Sequence, residues 1–478
     1  MANVTTPHDE YSENYPLWEL VEDVCGGEYA VKEKGITYLP KPNPTDISTE
    51  NAARYEQYKL RAVFYNATHR TLLGMNGAAF SQVPTLTVPA TLGYVTDDID
   101  GCGLSIYQQS QMALSEVLQK GRCGLLADYP QTGIQASLAD QQSGRIRSTV
   151  ALYEAESIIN WRTEKVGAKH MLSLVVLKEC AQEVTPDGFG SVEIEQYRVL
   201  RLLNGVYIIE IWRKDEKEPD PDKAWKIYAE AVPLNSAGRP WDSIPFTFIG
   251  SQSNSPCCDP SPLYDLAALN LAHYRNSADY EDSVYMTGQP QAWISGLTEE
   301  WRDWLQKQGI YIGARAAILL PENGNFGIAQ AQPNTLAKEA MDAKEAQMRS
   351  IGARLIMPGS AVKTATEAQQ ENESDHSVLS LTCSNLSEAY TLALVWMGEW
   401  MGVTGNAEYT IHVEANKFSV DGVMLGALVA ANQAGKLPDS DLFRIMRKLD
   451  VIDPEKTDEQ IHEELQASGS AGLNFGAA

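Results

Sequence analysis

The chain has 478 residues, 44% hydrophobic and 21% charged, a globular composition with apolar material for roughly three domains. Its 38 Lys and Arg against 63 Asp and Glu give a net charge of −25, which excludes the broad basic face through which sequence-specific DNA binders release counterions. Seven cysteines without a CxxC pair read as reduced thiols of an intracellular chain. The polar opening Met1–Glu13 has no signal-peptide core, and no run of about 18 apolar residues offers a membrane span.

To about Gly121 the pattern is helical. Helices are expected over Tyr15–Cys25, over Glu50–Leu73, where Tyr55, Tyr58, Ala62, Tyr65 and Leu72 recur near helical spacing, and over Gly103–Leu118, closed by Lys120-Gly121. GRCGLLADYP then reads as a short buried strand broken by Pro130. From about Ser157 to Ile249 the period changes to that of strands: INWRTEK, HMLSLVVLKECAQEV, SVEIEQYRVLRLL, VYIIEIWRKD and AWKIYAEAVPL. Asn204-Gly205 between two of them is the strongest short hairpin signal, because both turn residues must take positive φ. An antiparallel sheet, and so an α+β fold, is predicted. The charged run Asp215–Lys223 reads as a hairpin tip, either solvated or touching a partner.

Pro260 and Pro262 next deliver the chain into a helix over Leu263–Met286 that stops at Gly288 and Pro290. Its first half is apolar (Leu263, Leu266, Ala267, Leu269, Leu271) and its second carries Asn276, Asp279, Glu281 and Asp282, so one end asks for packing and the other for water. A compact insert follows, with a strand at Gln291–Ile294, a helix capped by Thr298 with Glu299 and Glu300 at its positive end, and a strand at ARAAILLP. In the next helix, over Leu336–Leu355, Lys338, Asp342, Glu345 and Arg349 form one stripe of alternating sign that should face water, with Ala340, Ala343 and Ile351 on another side. LIMPGSAVKTAT reads as a flexible loop with one cation, Lys363. It leads to a long helix over Thr366–Met401, polar at its start and apolar later at Leu379, Leu386, Ala389, Ala393, Trp396 and Trp400. A strand, YTIHVEA, is expected to close the sheet before short helices over Asp421–Gln433, Asp439–Leu449 and Thr457–Gln466 and a loose Gly/Ala/Ser-rich tail.

Motifs for chemistry are sparse. Neither GxxxxGK[ST] nor a GxGxxG opening a helix is present, and the histidines show no HExxH or other ligand spacing, so no phosphate cradle, cofactor or metal is expected. His273 should make a packing hydrogen bond. Asp97, Asp98 and Asp100 before Gly101 lack the glutamate of a calcium loop and read as an acidic turn. Ser360-Ala-Val-Lys363 fits SxxK, a two-position pattern that chance supplies often, without its companion elements.

The run PLYDLAALNLAHYRNSADYE followed by GQP resembles the first stem helix of the portal proteins (head-to-tail connectors) of tailed double-stranded DNA bacteriophages, in a branch with a similar PLxDLAxLNxAHYRxSADYE. GRCGLLADYP is similar to their GRxGLLxDxP. The resemblance implies a portal fold: wing of N-terminal helices and antiparallel sheet at 1–260, stem helix at 261–288, small α/β clip at 289–333, second stem helix at 334–355, tunnel loop at 356–366, tunnel helix and closing wing strand at 367–417, helical crown at 418–466 and flexible tail at 467–478. It further implies a non-enzymatic, closed homo-oligomeric ring, twelve-membered in the virion, assembled in the host cytoplasm and set at one capsid vertex. Partners would be the major capsid protein, the terminase large subunit during packaging, a head–tail adaptor or tail protein afterwards, and double-stranded DNA passing through without sequence preference; no membrane is implied. Ser360, Lys363 and Thr364 would then line the DNA channel, with Lys363 touching phosphates. Lys338, Asp342, Glu345 and Arg349 would face the lumen or the crevice between subunits, and Trp293, Trp301 and Trp304 would anchor a docking partner or pack the clip itself. Two alternatives remain: a non-enzymatic acidic scaffold or adaptor of virion assembly, and a serine hydrolase using Ser360 and Lys363.

Overall fold

The computed structural model describes residues 3–130, 146–185, 187–220, 223–289, 291–308, 320–329, 335–356, 378–403, 405–413, 428–432, 434–448, 452 and 456–469. The chain divides into two units, residues 1–413 and 414–478. Helices and antiparallel sheets share the first unit, and the fold class is α+β.

α1 (Asp9–Gly26) starts earlier than the expected Tyr15. His8 Nδ1 accepts the Glu10 N–H, and Asp9 and Glu10 lie in the first turn where the helix dipole favours them, so Pro16 falls inside the helix. α2 (Glu28–Glu33) follows. The single helix expected over Glu50–Leu73 is two, α3 (Thr49–Arg61) and α4 (Ala67–Ala79), capped by the Ser48 and Asn66 side chains. After β1 (Thr85–Thr87), α5 (Ile106–Lys120) opens on a Ser105–Gln108 capping box and ends on Gly121 at φ 79°. A Cβ on Gly121 would lie 2.2 Å from the Asp259 carbonyl oxygen, so only glycine fits.

β2 (Arg122–Asp128) pairs antiparallel with β3 (Thr149–Glu154). β4 (Ile158–Val166), β5 (Lys169–Val184), β6 (Ser191–Leu203), β7 (Val206–Lys214) and β8 (Trp225–Ala231) form the predicted antiparallel sheet, and their spatial order makes it a meander. Asn204 and Gly205 turn it at φ 54° and 75°. β9 (Phe246–Gly250) returns to the other edge of β2. β2 is buried on both faces from Arg122 to Ala127, and its alternation splits the core: Cys123, Leu125 and Ala127 face the helices, while Leu126 joins Ile158, Trp161, Leu177, Phe246 and Trp400 against the meander.

α6 (Tyr264–Thr287) leads to β10 (Gln291–Ser295), α7 (Glu299–Gln308) and β11 (Asn325–Ala329), and the two strands pair antiparallel. Most of the strand expected at ARAAILLP lies outside the described residues, and Leu320 and Pro321 are not strand; β11 is the described partner of β10. α8 (Leu336–Ile356) packs alongside α6 and α4. α9 (Val378–Met401) runs through the helical core with Leu386, Tyr390, Leu394 and Met397 buried; residues 366–377 of the long helix expected there are outside the described set. The closing strand is a correction. β12 (Glu408–Thr410) pairs with β1 in a separate two-stranded ladder and does not join the meander, whose edges are β4 and β8.

In the second unit, residues 428–432 are helical within the expected Asp421–Gln433, and α10 (Asp439–Lys448) and α11 (Asp458–Gly469) follow. Arg447 pairs with Asp458, and Phe443 meets the His462 ring edge-on at 5.2 Å.

Candidate functional site

The polar residues of α6 close a bracket on the N-terminal helices. Asn270, fully buried, accepts on Oδ1 from the Ala67 N–H (3.0 Å), the Thr68 N–H (3.2 Å) and the Thr68 hydroxyl (3.1 Å), and donates from Nδ2 to the Tyr65 carbonyl (2.8 Å). Ser277, two turns along the same face, accepts the Val63 N–H at 3.0 Å. These two side chains satisfy backbone groups that a continuous helix would have used internally, which is why the chain breaks between Arg61 and Ala67. Further along, Tyr58 and Arg61 of α3, one turn apart, meet Asp279 and Asp282 of α6, also one turn apart, at 2.6 and 2.7 Å. Arg54 reaches Asp282 at 3.6 Å, the Arg61 guanidinium lies 4.2 Å from the Tyr285 ring centre, and Arg275 Nε donates to the Tyr38 carbonyl. Burial, then the hydrogen bond to Asp279, raises the Tyr58 pKa, so its proton stays on the donor side. The acidic half of α6 therefore meets α3 along one side, while Asp279 itself and Val284, Tyr285 and Met286 beyond it are exposed, so this end reaches water as expected and is also held by α3.

His273 also departs from expectation. Its Nδ1 has no partner, its ring tilts against Tyr65 at 6.0 Å, and burial lowers its pKa, so it packs as a neutral ring. Tyr274 beside it is pushed up to about 12 by burial, with its hydroxyl unpartnered.

Of the stripe on α8, Lys338, Asp342 and Arg349 are exposed and Glu345 is half-buried, bound to Arg349 at 2.7 Å. Met348 and Gly352, which flank the stripe, are buried, and a Cβ on Gly352 would stand 2.9 Å from Thr71 Oγ1 of α4. In the insert, Trp301 and Trp304 meet edge-on at 5.3 Å, while Trp293 lies over Gly327, its cross-strand partner, where a Cβ would come within 2.6 Å of the indole. All three thus pack the insert, and Trp293 and Trp304 still present surface. Ser360, Lys363 and Thr364 lie outside the described residues. The Asp98 and Asp100 carboxylates accept N–H groups from Gly101, Gly103, Cys102 and Leu104, the pattern of an acidic turn. The described cysteines are all free.

Two buried charge clusters escaped the sequence. Lys120 Nζ lies 2.7 Å from Glu156, 3.3 Å from Glu116 and 3.4 Å from Glu22, and Glu116 also accepts the Ala155 N–H. Glu116, Glu154 and Glu156 lie close together, and the Lys120 ammonium pairs with two of the three, Glu116 and Glu156. Burial, against the pull of Lys120, pushes Glu116 up to about 7. The i, i+4 spacing of Glu116 and Lys120 was legible; its burial was not. In the second cluster the Arg122 guanidinium lies in the corner between the edge-to-face rings of Trp161 and Phe248, 4.2 and 4.4 Å from their centres, and donates to Cys258 Sγ at 2.8 Å, with Glu10 accepting the Cys258 N–H. No sequence signal marks that triad. A cleft of about 460 Å³ between Asn235–Asp242 and Gly398–Val403 is lined by Arg239, Asp242 and Glu399 among others.

Residues 262–401 match a family model described as a domain of unknown function, DUF4055. No curated protein matches. Among solved structures the chain is similar to a chain of the virion of a native gene transfer agent particle, at 14% identity and TM-score 0.38, over 77% of this chain and 86% of that one. It is also similar to chains of the neck of an empty gene transfer agent particle computed with C6 symmetry (15% identity, TM-score 0.40, 80% and 90% covered) and of the neck of the native particle computed with C12 symmetry (14%, 0.40, 80% and 89%).

Proposed function

We propose that this chain is the subunit of a portal: a closed ring at one capsid vertex that passes double-stranded DNA and offers its insert, residues 289–333, to packaging and tail components. The observation that carries the reading is the helix–insert–helix excursion of α6, β10–α7–β11 and α8. Its first helix holds the HYRNSADYE run and is bolted by Asn270, Ser277, Asp279 and Asp282 to the N-terminal helices. Such a bolt makes the excursion a rigid lever on the body, as a ring-borne stem requires. The work is mechanical, with no catalytic step assigned to the chain, and a net charge of −25 suits a conduit from which DNA must slide freely. Heterologous contacts that close give rings. Negative-stain imaging of the purified chain should show cyclic particles with a central hole; isolated subunits at every concentration would overturn the proposal.

A further inference from the structure

The two ends of the meander differ in charge and in apolar exposure. β5 has 16 residues, a span of about 50 Å at the usual rise, and connects two hairpin tips. At its C-terminal end β4 pairs no further than Leu177 and β7 no further than Gln196, so from Ala181 to Ile194 the ribbon has only two strands. Ribbons of two strands are marginal by themselves in water. Phe189 at this tip is 98% exposed, with Val184 and Val192 exposed beside it. Glu183, Asp187, Glu193 and Glu195 fall between residues 180 and 197 with no Lys or Arg among them; Arg213 of β7 offsets Glu183 at 2.7 Å, and Lys178 lies 3.8 Å from Glu195. At the other end the β4–β5 tip carries Arg162, Lys165, Lys169 and His170 against Glu164 alone, around Val166, which is 54% exposed.

We infer that the acidic β5–β6 tip of one copy, with Phe189, docks on the basic β4–β5 tip of the next copy. The two tips are unlike patches at opposite ends of one strand, so a head-to-tail contact between them leaves one tip of each copy free for the next, the kind that propagates around a ring. The acidic tip also repels DNA and anionic lipid, which leaves a basic protein surface as the occupant, and this chain carries one. The inference rests on the ring reading and adds the surface that joins the subunits.

The test replaces Phe189→Ser with Glu193→Lys at one tip, Lys165→Glu with Lys169→Glu at the other, and combines Glu193→Lys with Lys165→Glu and Lys169→Glu in one chain. Both tips are exposed in a single copy, so circular dichroism and the urea midpoint should stay unchanged. Each single-tip variant should need at least about tenfold more protein to form rings, and the combined charge exchange should recover most of that loss. A photo-crosslinker at position 189 should attach to residues 162–170 of a second copy. Rings that form normally in the tip variants, or crosslinks elsewhere, overturn this contact and leave the ring reading standing. An unaltered chain that never forms rings overturns both.

Discussion

Replacing Asn270 by alanine tests the bracket directly. The side chain is fully buried, and its loss strips the Thr68 N–H and hydroxyl of their acceptor and the Tyr65 carbonyl of a donor; the Ala67 N–H keeps the Tyr65 carbonyl at 2.9 Å. A buried group left unsatisfied costs about 1–3 kcal/mol, and collapse or a trapped water returns part of it, so the local cost should be about 2–4 kcal/mol. With about 1.4 kcal/mol per factor of ten, hydrogen-exchange protection of the α4 amides at Leu72 and Met75 should fall by roughly 30- to 1,000-fold. Exchange is the right readout because a unit of this size need not unfold in two states. Amides of Val199 and Leu200 in β6, far along the chain in the meander, should change by less than about threefold. Unchanged α4 protection, or an equal loss in β6, would refute the assignment of Asn270 as the local clamp.

Other substitutions separate backbone conformation, steric fit and charge. Gly121→Ala should cost more than about 3 kcal/mol by urea melting, because positive φ is joined by a 2.2 Å approach to a backbone oxygen, whereas Gly205→Ala, at φ 75° in open space, should cost only about 1–2. Glu116, with a folded pKa near 7 set chiefly by burial, binds its proton more tightly folded than unfolded. Its contribution is therefore full below the unfolded carboxylate pKa and lost as pH rises through 7, a decline on the order of 2–3 kcal/mol between pH 4.5 and 7.5. Glu116→Gln, which keeps an acceptor for the Ala155 N–H, should flatten that slope in urea midpoints measured against pH; an unchanged slope would assign the proton elsewhere. Cys258→Ala removes the sulfur from a guanidinium whose Nε and Nη2 already lack partners and should lower stability by about 1–3 kcal/mol, with Cys258→Ser recovering most of it.

What the sequence reveals here divides by distance along the chain. The Asn204-Gly205 turn, the α5 caps and the alternation of β5 and β6 are written into neighbouring residues, and each forms where its local pattern places it. The break between α3 and α4 has no such signature: Tyr55, Tyr58, Ala62, Tyr65 and Leu72 keep helical spacing straight through it. It exists because Asn270 offers the Ala67 and Thr68 amides an acceptor from a position more than 200 residues downstream. β1 and β12 are three residues each, too short for period to speak, and find each other across the whole first unit. Composition told only part of the story in α6 for a related reason. Polar side chains mark the wet side of this helix, where Asp279 is exposed, but Asp279 and Asp282 are also matched by Tyr58 and Arg61, whose own one-turn spacing could be read only after the two helices are set side by side. A run that combines an apolar half with a polar half can therefore serve two different partners and still reach water at its far end. In this chain the partners are the core on one stretch and α3 on the other, and together they fix the direction in which α6 carries the insert away from the body.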